Sequence, residues 1–397
     1  MTGALALLRE IDDVGRDLRR GGYSRHVFDD AERTLREWFI ERTQRLGLDV
    51  APDRNGNLWA WWGEPGPDAF VTGSHLDSVP GGGAHDGPLG VASALAAVEE
   101  LQARGFTPTR PFAVVVFAEE EGSRFGIACL GSRLLSGAIP AERAAGLTDA
   151  AGRSFGDVAA AAGLTDVGGD REALARIGLF VELHVEQGKG LVDLDAPVAV
   201  GASILEHGRW RIDVRGKGDH AGTTALGDRR DPMLPAASAV LATRRAAARR
   251  TGSRATIGRL EPVPGGTNVI ASRVSAWLDV RADTERDTRD IVAEVAQAVA
   301  EAAREEGCES SVVEESYSGE VRFDPQLRDR IAATLGGVPV LPTGAGHDAG
   351  VLAAHVPTAM LFVRNPSGVS HAPDEGADDA AVDAGVAALV RTIEDLA

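Results

Sequence analysis

AFVTGSHLDSVPGGGAHDGPLGVASALAAVEELQA, residues 69–103, decides the fold of this chain. It opens with an apolar run that reads as a strand through 74 and passes His75 and Asp77. It then turns through glycines to Asp86 and continues from Pro88 with the apolar spacing of a helix. Proline at the first helical position agrees with that start. Three further stretches set imidazoles or carboxylates just past apolar runs: FAEEEGSRF (117–125), ELHVEQG (182–188) and GVSHAPDE (368–375). Neutral imidazoles and carboxylates without thiolates suit borderline or hard divalent ions such as zinc, manganese, cobalt or nickel. Together the four stretches point to a two-metal hydrolytic site.

Outward from this unit, helical spacing covers 4–20 and 29–46, with Asp29 and Asp30 as candidate caps, and 88–104. Strand runs occupy 57–62, 112–118 and 179–185. The alternation predicts an α/β layer structure with a largely parallel sheet. Its ligands would lie beyond the carboxyl ends of the strands, where open α/β sheets bind. The Ala/Gly-rich stretch 138–170 reads as a surface helical excursion. Residues 206–318 read differently, as strand, helix, strand, strand, helix, strand, which is a ferredoxin-like α+β unit. The expected organisation is therefore a catalytic domain over 1–205 and 319–397, interrupted by an inserted domain at 206–318. The chain returns near Phe323 to strands at 338–341 and 358–364.

At 397 residues the chain exceeds what one core usually holds, and 44% apolar residues suffice for globular packing. The formal charge of −18 argues against nucleic acid or an anionic membrane surface as a partner. Cys129 and Cys308 are too few for a disulfide scaffold, and no secretory signal or membrane span is visible, so a reducing cytoplasm is the expected location.

Each candidate residue has an ordinary alternative. A strand-end His75 is commonly structural, but Asp77 two residues on could accept the proton of its non-ligating nitrogen. Asp86 could merely cap the helix from Pro88, or bridge two cations. Glu119, Glu120 and Glu121 form a triplet at the mouth of a buried strand, where like charges repel unless cations or raised pKa values relieve them. Hydrolysis needs one carboxylate to hold an ion and another to move protons. His184 alone reads as a packed core histidine and His371 as an exposed loop residue; their occurrence with the other stretches carries the weight. His85, His207, His347 and His355 stay ambiguous.

The segments GSHLDSVPGGGAHDGPLGV, EEEGSRF, ELHVEQG, GDHAGTT, GGTNVI and GVSHAPDE resemble those of the amidase/hydantoinase-carbamoylase branch of the aminoacylase and carboxypeptidase-like metallohydrolases. The likeness runs from about residue 20 to the C-terminus. It implies a zinc-peptidase-like catalytic domain and an inserted lid that carries a homodimer contact. It implies that His75, Asp86, Glu121, His184 and His371 hold two divalent ions, with Asp86 bridging, and that Glu120 is the general base. His220 would stabilise the oxyanion, and Gln187, Asn268 and Arg281 would contact a small ureido carboxylate. His184 stands where the peptidase branch commonly has an acidic residue, which argues against an exopeptidase. The ligands and base together argue against a non-catalytic binding protein. FGIACLGSRLLSG (125–137) looks closest to allantoate amidohydrolases, with N-carbamoyl-L-amino-acid hydrolase and β-ureidopropionase as the alternatives.

Overall fold

The computed structural model describes residues 3–397, and its internal contacts divide the chain into two compact units. One comprises residues up to Ile204 and from Arg322 onward, and the other is Leu205–Val321. The first unit begins with the helix Ala4–Glu10, shorter than the 4–20 expected from spacing. The helix stops because the chain folds back beyond Ile11. There the Arg25 guanidinium donates to the carbonyls of Ile11 (3.0 Å) and Val14 (2.9 Å), and Gly15 adopts a φ of +74°. Leu18, which extended the apolar spacing, is exposed. The helix Asp30–Arg45 starts where expected, with the Asp29 carboxylate accepting from the Glu32 N–H at 2.8 Å.

Six strands follow in this part: β1 (Asp49–Pro52), β2 (Leu58–Trp62), β3 (Ala69–His75), β4 (Phe112–Phe117), β5 (Ile177–Val185) and β6 (Val198–Ile204). Every residue of β3 and β4 is buried, as in strands covered on both faces. The helix Pro88–Ala103 packs on them and buries Leu89, Val91, Leu95, Val98 and Leu101, each contributing ~1.5–3 kcal/mol by removal from water. Between β4 and β5 the short helices Ala141–Ala145 and Phe155–Ala161 close a small core of their own, in which Phe125 and Phe155 pack edge to face over Leu134 and Ile139. The 138–170 stretch is thus a packed cover for the loop that follows β4.

The second unit runs β7 (Glu206–Arg215), β8 (Asp219–His220), the helix Met233–Ala248, β9 (Arg254–Val263), β10 (Val269–Ile270), β11 (Arg273–Ala282), the helix Glu285–Glu305 and β12 (Glu309–Ser318). Its antiparallel sheet has the order β12-β7-β11-β9, and β8 pairs with β10. Trp210, Ile212 and Val214 alternate inward on β7 and meet Ile291, Val295 and Val299, four residues apart on the long helix. This is the split βαβ arrangement read from the period switches.

The chain re-enters the first unit at β13 (Val321–Arg322), then β14 (Val340–Thr343) and β15 (Thr358–Val363). Among the described residues the main sheet has nine strands in the order β1-β2-β4-β3-β5-β15-β6-β13, with β14 beside β6. Its centre, β4-β3-β5-β15, is parallel throughout; β1-β2, β2-β4 and β15-β6 pair antiparallel, and β14 runs parallel to β6. Pairing aligns His75 with Phe117 and His184 with Phe362. Four carboxyl ends therefore open on the same edge. Among the described residues no helix is long and apolar enough to cross a membrane.

Candidate metal centre

His75 ends β3 and His184 lies one residue before the end of β5; both are fully buried. Each imidazole has its Nδ1 against a backbone carbonyl, Asp77 O at 3.0 Å for His75 and Val185 O at 2.9 Å for His184. Such a bond fixes the neutral tautomer with the Nε2 lone pair free. Both Nε2 atoms are buried without a hydrogen-bond partner and lie 3.5 and 3.2 Å from the same oxygen, Asp86 Oδ1. The second oxygen of Asp86 lies 3.5 Å from His371 Nε2, which is 3.4 Å from Glu121 Oε2. Asp86 thus faces two donor sets with two different oxygens. The donor atoms of His75, Asp86 and His184 lie within 4.8 Å of one another, as do those of Asp86, Glu121 and His371. Orphaned buried imidazole nitrogens opposed to carboxylates fit a divalent cation better than they fit a core.

Local sequence explains how these groups reach the site. Asp86 does not cap the helix: Gly87 is the cap residue and no side chain caps it. Gly87 has φ +85°, and a Cβ there would stand 2.5 Å from the His75 ring, so only glycine permits this approach. Gln187, past β5, donates to Asp86 Oδ2 and to Ser370 Oγ, both at 2.9 Å, while its Oε1 is buried without a partner. Glu375 accepts from the Asp86 N–H at 2.9 Å and from the His371 N–H at 3.4 Å.

The glutamate triplet resolves into three tasks. Glu119, at φ +54°, turns inward and accepts from the Arg124 and Phe125 N–H groups at 2.9 and 2.7 Å, closing the loop on itself. Asp77 accepts from the N–H groups of Glu120 and Glu121, each at 3.1 Å. The Asp77 carboxylate is 3.5 Å from His75 Nδ1, farther than its own carbonyl, so its main hold is on the glutamate loop. Glu120 lies buried with Oε2 3.6 Å from His75 Nε2, and the Cys129 thiol donates to its Oε1 at 3.6 Å. Glu121 points to His371.

This crowding of acids shifts their protonation. Burial pushes Glu120 and Glu121 well above the ordinary carboxyl range; His75 opposes this, while neighbouring acids, among them Asp86, add to it. Burial and the charge of Asp77 raise Glu119 to about 8, against the two N–H groups it accepts. Asp86 goes the other way: burial disfavours its charge, but His184 and His75 outweigh that and hold it well below its usual value. Burial likewise opposes charge on His75, yet Glu120, Asp77 and Asp86 raise it. Anions gathered in a low-dielectric pocket are relieved by cations.

Three participants escaped sequence reading. His347 is buried, its ring centroid 4.5 Å from that of His184, with neither nitrogen hydrogen-bonded. Burial, aided by the charge of His184, pushes its pKa well down, so it is neutral. Glu182 on β5 accepts from Ser74 Oγ at 2.9 Å and from the Ala349 N–H at 3.0 Å, and Asp348 accepts from Ser132 Oγ. The HDG of 85–87, just before a helix, is mirrored by the HDAG of 347–350, which opens one; that repetition was the available signal for His347 and Asp348. His220, Asn268 and Arg281 belong to the other unit. His220 ends β8 and Asn268 immediately precedes its partner β10; beside that pair the Ala221 N–H donates to the Asn268 carbonyl at 2.9 Å. Arg281 is on β11 opposite His207, its Nε 3.1 Å from Asp279.

Residues 71–395 match peptidase family M20/M25/M40. The chain is 37% identical to the N-carbamoyl-L-amino acid amidohydrolase of Geobacillus stearothermophilus, over 98% of this chain and 97% of the relative. It is 30% identical to the allantoate amidohydrolase of Escherichia coli (strain K12), covering 95% and 93% of the two chains. The crystal structure of an amidase of the hydantoinase/carbamoylase family from Burkholderia vietnamiensis superposes with a TM-score of 0.89 at 29% identity, over 100% of this chain and 98% of that one. The chain belongs to peptidase family M20/M25/M40 and, within it, to the hydantoinase/carbamoylase amidases, hydrolases of carbon–nitrogen bonds other than peptide bonds.

Proposed function

We propose that this protein is a dinuclear metal-dependent amidohydrolase that cleaves the terminal ureido bond of a small N-carbamoyl carboxylate and releases ammonia and carbon dioxide. The observation that carries the reading is the division of Asp86, one oxygen toward His75 and His184 and the other toward His371 beside Glu121. His75, His184 and Asp86 would hold one ion, and Asp86, Glu121 and His371 the other. When bound, two such ions supply Lewis acidity and bring the pKa of water toward neutrality.

Glu120 does the proton work. Buried beside His75, with a carboxyl whose pKa burial raises, it is suited to take a proton from the attacking water and return it to the leaving nitrogen. The Cys129 thiol leaves Oε2 as the oxygen free to act. The unpartnered Gln187 Oε1 suits an N–H of the ureido group, and neutral His347 offers a second polar contact. From the other unit, His220 would donate to the developing oxyanion, while Asn268 and Arg281 would grip the substrate carboxylate, for which a planar guanidinium supplies two parallel donors. That unit would also carry the homodimer contact: Met233, Leu234, Val240 and Leu241 are exposed on one helix, at spacings that share a face.

For the substrate, the higher identity to the Geobacillus relative favours an N-carbamoyl-L-amino acid, with allantoate second. An ammonia-release assay over N-carbamoyl-L-amino acids, allantoate, β-ureidopropionate and a dipeptide, each with manganese, zinc, cobalt or nickel, tests the proposal. Turnover of a ureido substrate without cleavage of the dipeptide supports it; release from none of them under any metal refutes it.

A further inference from the structure

The two halves of the centre are built differently. His75 and His184 stand on adjacent buried parallel strands, each ring held by a carbonyl within two residues of its own position. His371 instead stands in the loop after β15, with φ +57° and a side chain half exposed, at 52%. Gln187 spans from the Asp86 side chain to Ser370, and Glu375 ties the main chains of the two loops together directly. Glu375 is 5% exposed, and its two oxygens serve two loops almost three hundred residues apart. Oε1 accepts from the N–H groups of Asp86 at 2.9 Å and His85 at 3.3 Å, and Oε2 accepts from the His371 N–H at 3.4 Å.

The glycine run makes room for this clasp. A Cβ on Gly83 would lie 2.3 Å from Glu375 Oε1 and 2.5 Å from its Cβ and Cδ, so the carboxylate occupies the space that a side chain at 83 would fill. Neither oxygen of Glu375 is paired with a ligand side chain; both are spent on the main chains of two ligands. We infer that Glu375 is a positioning residue that assembles the His371 side of the centre, so that the two ions bind with unequal dependence on it. The inference rests on the two-ion reading above. The ion held by Asp86, Glu121 and His371 has two of its three ligands set by the Glu375 clasp, whereas the ion held by His75, His184 and Asp86 shares only Asp86 with it and takes its two imidazoles from the strands. Residues that orient metal ligands without touching the metal commonly change affinity by roughly 10- to 100-fold, and this is the size expected for one ion alone.

The test is zinc binding to the metal-stripped full chain, followed by calorimetry and by the metal content left after a graded chelator series. The wild type is compared with Glu375→Gln, Glu375→Ala and Gly83→Ala. The wild type should take up two ions. Glu375→Ala should weaken one step by about 10- to 100-fold and leave the other within about threefold. His371→Ala should remove the same step that Glu375→Ala weakens. Glu375→Gln keeps one acceptor oxygen, so its loss should be smaller. Gly83→Ala displaces Glu375 without altering any ligand and should reproduce the selective loss. Near-ultraviolet circular dichroism identifies any variant that has lost its fold, and the remaining variants then decide. The inference is overturned if both steps keep wild-type affinity in the folded variants, if both weaken equally, or if the step sensitive to His184→Ala is lost first. A wild type that binds fewer than two ions overturns the two-ion reading itself, a result distinct from two normal ions indifferent to Glu375.

Discussion

Replacing Gly87 by alanine adds one methyl group and should dismantle the strand-built half of the centre. Gly87 has φ +85° and ψ −59°, a conformation that L-residues rarely adopt, and backbone strain of this kind costs roughly 1–3 kcal/mol. The new Cβ would stand 2.5 Å from Cε1 and Nδ1 of His75 and 2.7 Å from Nε2, where ordinary contact begins at 3.4 Å. The imidazole must therefore retreat by about 1 Å (3.4 minus 2.5). It has nowhere to go: His75 is fully buried, its Nδ1 is bonded to the Asp77 carbonyl and its ring stacks near His184. Overpacking adds about 1–3 kcal/mol, so the total should be on the order of 2–6 kcal/mol in stability. A ligand displaced by 1 Å costs about 100-fold or more in turnover. Thermal unfolding, metal content and kcat/KM of the purified variant give the three readouts. A Gly87→Ala protein that keeps its metal and turns over within about threefold of wild type would refute the argument that this glycine exists to admit the ring.

Glu120→Gln should retain both ions and lose about 10²–10⁴-fold in kcat, measured by ammonia release alongside metal analysis; full turnover with metals bound would remove Glu120 from the role of base. Asp77→Asn turns one carboxylate oxygen, and the bond from the Glu120 or Glu121 N–H that it accepts, into a donor facing a donor. It should cost about 1–3 kcal/mol, read from urea unfolding, and lower kcat more than it raises KM. Metal-stripped protein should lose stability as pH rises from 7 to 9. Glu119, raised to about 8 mainly by burial, keeps its proton in the fold over part of this range, whereas the unfolded carboxyl is already ionised. The native state thus binds more protons than the unfolded chain, and stability falls with pH, by about 1.4 kcal/mol from this group. His75, raised by Glu120, Asp77 and Asp86 against the effect of burial, acts in the same direction, while depressed Asp86 acts only below its ordinary 3.8, outside the window. A urea midpoint that is flat or rises across pH 7 to 9 would contradict this.

Part of the candidate centre was legible because His75, His184 and the glutamate triplet lie at or just past the ends of long, unbroken apolar runs. FAVVVF shows where its strand stops, and Glu120 and Glu121 just beyond it are among the groups gathered in space, whereas TAMLFV is followed by a loop that carries His371 eight residues on. The edge strand Asp49–Pro52 escaped because it is mostly exposed and so carries no apolar pattern. Val198–Ile204 escaped because Ala, Gly and Ser interrupt its β-branched residues in VAVGASI. The helix at 4–20 was overextended because spacing alone does not show that Arg25 caps the chain at Ile11 and Val14. Beyond the HDAG repetition at His347, local sequence does not show that His347 and Glu182 are buried at the centre. Their burial depends on β5 lying beside β15 and on the loop before Asp348 folding over it, and neither is a property of the residues around them. Similarly, Glu375 reads as an ordinary loop acid until its carboxylate is seen between two main chains.

The most direct measurement is anomalous diffraction from crystals of the full chain grown with zinc, recorded on both sides of the zinc absorption edge. Two peaks per chain are expected, one on each side of the Asp86 carboxylate: one beside His75 and His184, the other beside His371 and Glu121. A single peak, or peaks remote from Asp86, would contradict the shared-carboxylate centre on which the proposed chemistry depends.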